Sequence, residues 1–224
     1  MKACSPPKVE KTIPFKYVVA MTVVLTACIV MSPVFAAETE AAPDVVVKSI
    51  AQEIVDAAKS DRELAAGDPR KMVEFADARL APHFDFRRMT QAAMAKNWRL
   101  ATPAQQEQVT REFRTLLVST YSRAITTYKD QTVEFRPVRA AGAEATVRSE
   151  IRQPGQSPTV IDYDLAKGAD GWKIFDVKVG GASLVVTYRD TFADEVRNGG
   201  VDGLIAALAN KNRANEARYR TVKS

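Results

Sequence analysis

A change of period near the middle of the chain constrains its fold more than any other feature. Up to Tyr128 apolar residues recur every three or four positions, and beyond it they alternate. Four segments read as strands: Thr132–Val138, Ala145–Gln153, Thr159–Ala166 and Trp172–Val179. They are separated by Ala140-Ala141-Gly142, by Pro154 to Pro158 and by Lys167 to Gly171, which are turns and leave no room for crossover helices. The strands must therefore form an antiparallel meander. In the last of them Ile174 and Phe175 are adjacent apolar residues, so a bulge or two buried faces must accommodate them.

Helical patterns flank this block. Val47, Ile50, Ile54 and Ala58 predict a first helix from Val46 to about Ala66, ended by Gly67. Asp68-Pro69 places a cap before a first-turn proline and opens a second helix, broken at Ala81-Pro82. A further helical piece ends near Trp98. Thr102-Pro103-Ala104-Gln105 carries a capping box with proline at the first helical position. The face Val109, Phe113, Leu116, Leu117, Tyr121, Ile125 and Tyr128 follows it. After the strands, Gly180-Gly181 is expected to end the sheet. A helix from Ser183 then runs to Gly199-Gly200, and Asp202 caps a last one. Helices, four strands, then helices make an α+β domain: a four-stranded antiparallel sheet packed against several helices.

The first 36 residues stand apart. Lys2, Lys8, Lys11 and Lys16 precede an uncharged run from Tyr17 to Met31, and Val34-Phe35-Ala36 offers a small-x-small exit. That pattern predicts a secretory signal peptide cleaved after Ala36; the apolar run is short for a membrane span. Leu25-Thr26-Ala27-Cys28 is a rival signal, a lipobox that would make Cys28 a lipidated N-terminus. Removing the leader takes four lysines and one glutamate, so the net charge falls from +5 to +2. A nucleic-acid partner then loses its electrostatic support. Cys4 and Cys28 leave too, which excludes disulfides, thiol catalysis and thiolate metal sites from the remainder. Residues 37–45 read as a flexible leader, 46–211 as the folded domain and 212–224 as a basic tail, either a solvated, fraying helix end or a contact for an acidic surface or anionic head groups.

Catalytic equipment is sparse. His83 is the single histidine and lies at a helix break, and no Gly-x-Ser-x-Gly elbow accompanies it. Asp162 and Asp164 share one strand face, which alternation assigns to solvent. An exported hydrolase-like enzyme would have to be built from Asp162 or Asp164 with His83.

Four motifs stand in order: Pro82-His83-Phe84-Asp85-Phe86, Ala101 to Gln106 with Phe113, Tyr121 and Tyr128, Gly171-Trp172-Lys173-Ile174-Phe175-Asp176-Val177, and Gly181 to Leu184 with Gly200 to Leu204. Together they resemble the MlaC, or toluene-tolerance, family of periplasmic phospholipid-binding proteins. The resemblance implies a non-enzymatic carrier without cofactor. Its cargo would be glycerophospholipid, with the acyl chains in an apolar cavity between sheet and helices. It further implies exchange with an inner-membrane ABC transporter complex and an outer-membrane lipoprotein–porin complex, so as to maintain outer-membrane lipid asymmetry. On this reading the lining comes from Leu117, Tyr121 and Ile125 of the long helix, Val147, Ile161, Tyr163 and Phe175 of the sheet, and Leu184, Val185 and Tyr188. Two acyl chains carry roughly 30 methylenes at about 0.8 kcal/mol each, so exposed tails would cost on the order of 20 kcal/mol. A bilayer hides them equally well, so transfer between membrane and carrier lies near thermoneutral and needs no catalytic group.

Overall fold

Helix caps set the first half of the domain. The computed structural model describes residues 41–122 and 132–221. Helix α1 spans Pro43–Ser60 and buries Val47 and Ile50. It ends earlier than the apolar pattern suggested, because the Asp61 carboxylate accepts from the backbone N–H groups of Glu63 and Leu64 and starts a new turn, α2 (Arg62–Ala65). Asp68 caps α3 (Pro69–Phe75) in the same way. The chain then continues as a π-type turn, Ala76–Leu80, and a 3₁₀ turn, Ala81–His83, so the expected break at Pro82 is present.

Helix α4 (Phe86–Met94) is capped by Asp85 and leads into a 3₁₀ run, Ala95–Leu100. Ala95 makes the junction at φ 50°, the one non-glycine with positive φ among the described residues. Thr102 and Gln105 close the predicted capping box at the start of α5 (Pro103–Tyr121). Ile125 and Tyr128 lie outside the described residues, as do the leader, Cys28 and the Ala36 site.

The sheet is antiparallel, and it has six strands where the alternation predicted four. β1 (Thr132–Phe135) is shorter than expected and stops just before Pro137, which has no N–H to give the ladder. β2 (Arg139–Ala141) was read as a turn; it has no apolar alternation because all its residues are exposed, yet it pairs with β3 (Glu144–Arg152). β4 (Thr159–Gly168) and β5 (Gly171–Val179) complete the meander. Gly180-Gly181 does not end the sheet. With φ of 58° and 86° the pair forms a tight reversal that returns β6 (Ala182–Ser183) alongside Val179 and Lys178.

The Ser183 hydroxyl then accepts from Val186 N–H at 3.0 Å and starts α6 (Leu184–Thr187). Helix α7 (Arg189–Thr221) follows, broken as predicted at Gly200, where φ 65° and ψ −168° suit only glycine. Asp202, just beyond the break, accepts from Gln105 Nε2 at 2.7 Å and ties α7 to the start of α5. The basic segment expected as a tail is helical as far as Thr221, and Asn212 and Asn215 donate to Glu112 and Ser119 of α5.

Candidate functional site

Register builds one apolar face of the sheet. Ala145 stands opposite Leu165, Val147 opposite Tyr163, and Ser149 opposite Ile161. On the other side of β4, Leu165 meets Ile174, Tyr163 meets Val177, and Ile161 meets Val179. The register slips between Asp164 and Leu165, leaving Phe175 without a partner: a bulge, one of the two outcomes expected for Ile174-Phe175. It reverses the parity of β5, so Val177 and Val179 share a face with Ile174. Phe135, opposite Ser149, and Val133, opposite Ile151, extend that face. These positions were missing from the expected lining, although the alternation of β1 carried the signal for two of them.

Two separate apolar clusters result. In the first, Val47 and Ile50 of α1 lie on Val147, Leu165 and Ile174, with Tyr163, Trp172 and Val177 half-buried around them. In the second, Met89, Phe113, Leu116, Leu117, Val185 and Phe192 join α4, α5, α6 and α7. Phe113, Tyr188 and Phe192 form an aromatic triangle with centroids 5.0, 5.0 and 5.9 Å apart. Phe84 touches both clusters, and beside it Asp85 N–H donates to Ile174 O at 2.8 Å.

The expected lining residues divide between these clusters. Leu117 and Val185 are buried in the helical cluster, with Phe175 and Tyr188 packed against it. Val147 belongs to the sheet cluster, and Tyr163 packs against that one. Ile161 is buried outside both, Leu184 is half-buried, and Tyr121 is exposed at the end of α5. The bulge explains Phe175: it lets adjacent apolar residues serve different clusters, Ile174 the sheet and Phe175 the helices. Asp176, buried beside them, accepts from Val177 N–H at 2.9 Å and Val185 N–H at 3.3 Å, pinning α6 to β5.

Polar groups on this side are few and buried. Burial pushes the Tyr163 hydroxyl above its ordinary pKa. Ser149 lies near enough to act on that hydroxyl, without a hydrogen bond of good geometry. Burial also pushes the Tyr188 hydroxyl far up, with Tyr121 beside it adding to the effect. Neither phenol can serve as a base near neutral pH.

Charge occupies the opposite face of the same strands. Arg148 grips Asp162 with two bonds of 2.6 and 2.8 Å, and Arg136 grips Glu150 likewise at 2.9 and 2.7 Å. Asp164 is held by Lys178 at 2.6 Å and by the Thr146 hydroxyl at 2.8 Å. The Arg148 guanidinium holds the Asp162 carboxyl below its ordinary range. His83 lies 3.8 Å from Glu53, on the helix that covers the inner face. The sheet thus separates His83 from both aspartates, and the hydrolase constellation does not assemble. No group of three or more potential metal ligands occurs among the described residues.

Among the described residues, four surface grooves have linings that include none of the expected cavity residues. One of about 310 Å³ lies between α5 and α7 beside Glu112 and Asn212. Another of about 420 Å³ follows the charged outer face at Arg136 and Arg148. A third, about 400 Å³, runs by Glu53, Asp56 and Arg79. The largest, about 660 Å³, is lined by Arg88, Lys96, Arg99 and Arg189.

One family and several known proteins are similar to this chain. A family described as MlaC protein matches residues 48–210. The phospholipid-binding protein from Ralstonia solanacearum, solved in complex with a phospholipid, is 35% identical. It superposes with a TM-score of 0.71 over 79% of this chain and 99% of that one. Toluene tolerance protein ttg2D of Pseudomonas putida is 25% identical over 81% of this chain and 88% of its own length. The intermembrane phospholipid transport system binding protein MlaC of Haemophilus influenzae is 21% identical over 86% of this chain and 91% of its own.

Proposed function

We propose that this chain, which belongs to the MlaC protein family, carries glycerophospholipid through the periplasm between membranes. Family membership makes it a phospholipid-binding protein of intermembrane lipid transport, and not an enzyme. The observation that carries the reading is the likeness, over nearly the whole length of that protein, to one solved with a phospholipid bound. The physical arrangement supports it. An apolar sheet face is only partly covered by α1, and the polar side chains that an enzyme would use are paired off on the other side.

Acyl chains would lie along this inner face, against Ile161 and Tyr163 and up to the part where α1 seals Val147, and reach toward Leu117, Val185, Leu184, Tyr188 and Phe175 on the helix side. Tyr121, and Ile125 outside the described residues, would stand toward the mouth. Partners follow from the cargo: a complex in the inner membrane and another in the outer membrane must each take up or release the lipid. Export by a leader ending at Ala36 would place the carrier where it meets both.

Native mass spectrometry of the protein purified from cells, with extraction and identification of bound lipid, tests the proposal. A population shifted by the mass of a phospholipid is expected. An apo mass throughout, with no extractable phospholipid, would overturn it.

A further inference from the structure

The largest of these four grooves lies where α4, the 3₁₀ run Ala95–Leu100 and the start of α7 meet. Its lining includes Arg88, Lys96, Arg99 and Arg189 and no acidic residue. Arg88 is partly committed, pairing with Glu144 and lying 3.7 Å from the Phe175 ring centroid. Arg189 donates to the Ala92 carbonyl oxygen at 3.3 Å. Lys96 and Arg99 are exposed and have no ion-pair partner among the described residues.

Apolar side chains accompany these cations. Leu100, directly after Arg99, is 66% exposed, and Val186, one turn before Arg189, is 50% exposed. Exposed apolar residues beside unpaired cations make the pattern of an interfacial membrane contact: the cations meet phosphates while the short apolar side chains enter the head-group boundary. We infer that this face docks on the surface of an anionic phospholipid bilayer. An acidic protein would have to match the spacing of the cations, whereas a bilayer offers a phosphate at every lipid and meets them at any spacing. The inference goes beyond the carrier reading, since docking on a bilayer needs no cavity.

Co-sedimentation of the intact protein with vesicles tests it. Binding to vesicles containing phosphatidylglycerol in phosphatidylcholine is expected at low salt, weakening as salt rises, with little binding to pure phosphatidylcholine. Each basic side chain near such a surface contributes about fivefold, so the double variant Lys96→Gln, Arg99→Gln should lose about 25-fold in partitioning. Leu100→Ser should lose a smaller factor that salt does not change. Circular dichroism checks the fold of the variants, whose altered side chains are exposed. Equal partitioning of wild type and double variant would overturn the proposal. So would equal binding to neutral and anionic vesicles, or a charge-dependent contact with an acidic protein but none with vesicles. Extraction of bound lipid from the same samples reports on the carrier reading separately.

Discussion

The helical cluster around Phe113 and the inner face of the sheet draw on the same kinds of residue and reach different packing. Helices α4, α5 and α7 enclose Val109, Ala93 and Phe113 completely, because side chains from several helices interdigitate around each of them. On the sheet, Val147, Leu165 and Ile174 are sealed beneath α1, and Ser149 and Ile161, outside that cluster, are buried as well. Toward the ends of β4 and β5 the same face passes through Ile161, outside both clusters, to Val179, 42% exposed. One helix cannot cover a twisted sheet, and the uncovered remainder is apolar surface that a ligand can complete.

Phe113→Ala is the sharpest way to break the contrast. It removes the center of the aromatic triangle from a sealed core, so unfolding free energy should fall by about 3–5 kcal/mol in a denaturant titration. Loss below about 1 kcal/mol would mean that the helical cluster is not closed. Enlarging two positions on the sheet face separates the part packed under α1 from the part outside both clusters. Val147→Phe overpacks the contact with α1 and should cost about 1–3 kcal/mol. Ile161→Phe, outside both clusters, should keep the melting temperature and reduce the extractable phospholipid. If Ile161→Phe instead destabilises like Val147→Phe with lipid unchanged, the part of the face outside both clusters is ordinary core.

Elements whose signals are local were legible in the sequence. The capping box at Thr102, the cap at Asp68 and the helix break at Gly200 stand where residue chemistry placed them, and of the two outcomes open at Ile174-Phe175 the bulge is present. What the pattern hid was pairing without periodicity. β2 is exposed throughout, and β6 has two residues, too few for any alternation. The site was legible only as a set of apolar faces. Periodicity tells which residues turn inward; it does not tell that Leu117 and Val147 turn toward different clusters, since that depends on where α1 and Phe84 come to rest.

Ala95 offers a smaller test on the helical side. Its φ of 50° with ψ of −124° strains any residue with a Cβ, and it is held there by the turn from α4 into the 3₁₀ run. Ala95→Gly should relieve that strain and raise stability by about 1 kcal/mol after allowing for the greater freedom of glycine in the unfolded chain. Thermal unfolding measures it, and extractable lipid should stay constant, because the turn borders the cationic groove and not the sheet. A lower melting temperature would show that the turn is unstrained.

The smallest effect is expected on the outer face, where Asp162 backs the same strand that carries Ile161 and Tyr163. Arg148 lowers the Asp162 pKa, so the folded state binds that proton less readily than the unfolded chain does. A depressed carboxyl contributes stability that is complete above its unfolded pKa and is lost as pH falls through the folded one. At neutral pH Asp162→Asn should therefore destabilise slightly, and the pair is open enough to water that salt should shrink the difference. As the pH falls below the ordinary carboxylate range the curves for variant and wild type should converge, since the wild-type carboxyl is then protonated too. Lipid content should not respond at any pH, because the side chain points away from the apolar face. A variant that loses lipid at neutral pH while its melting temperature holds would show that the ion ladder positions the inner face, and the two sides of the sheet would then be coupled.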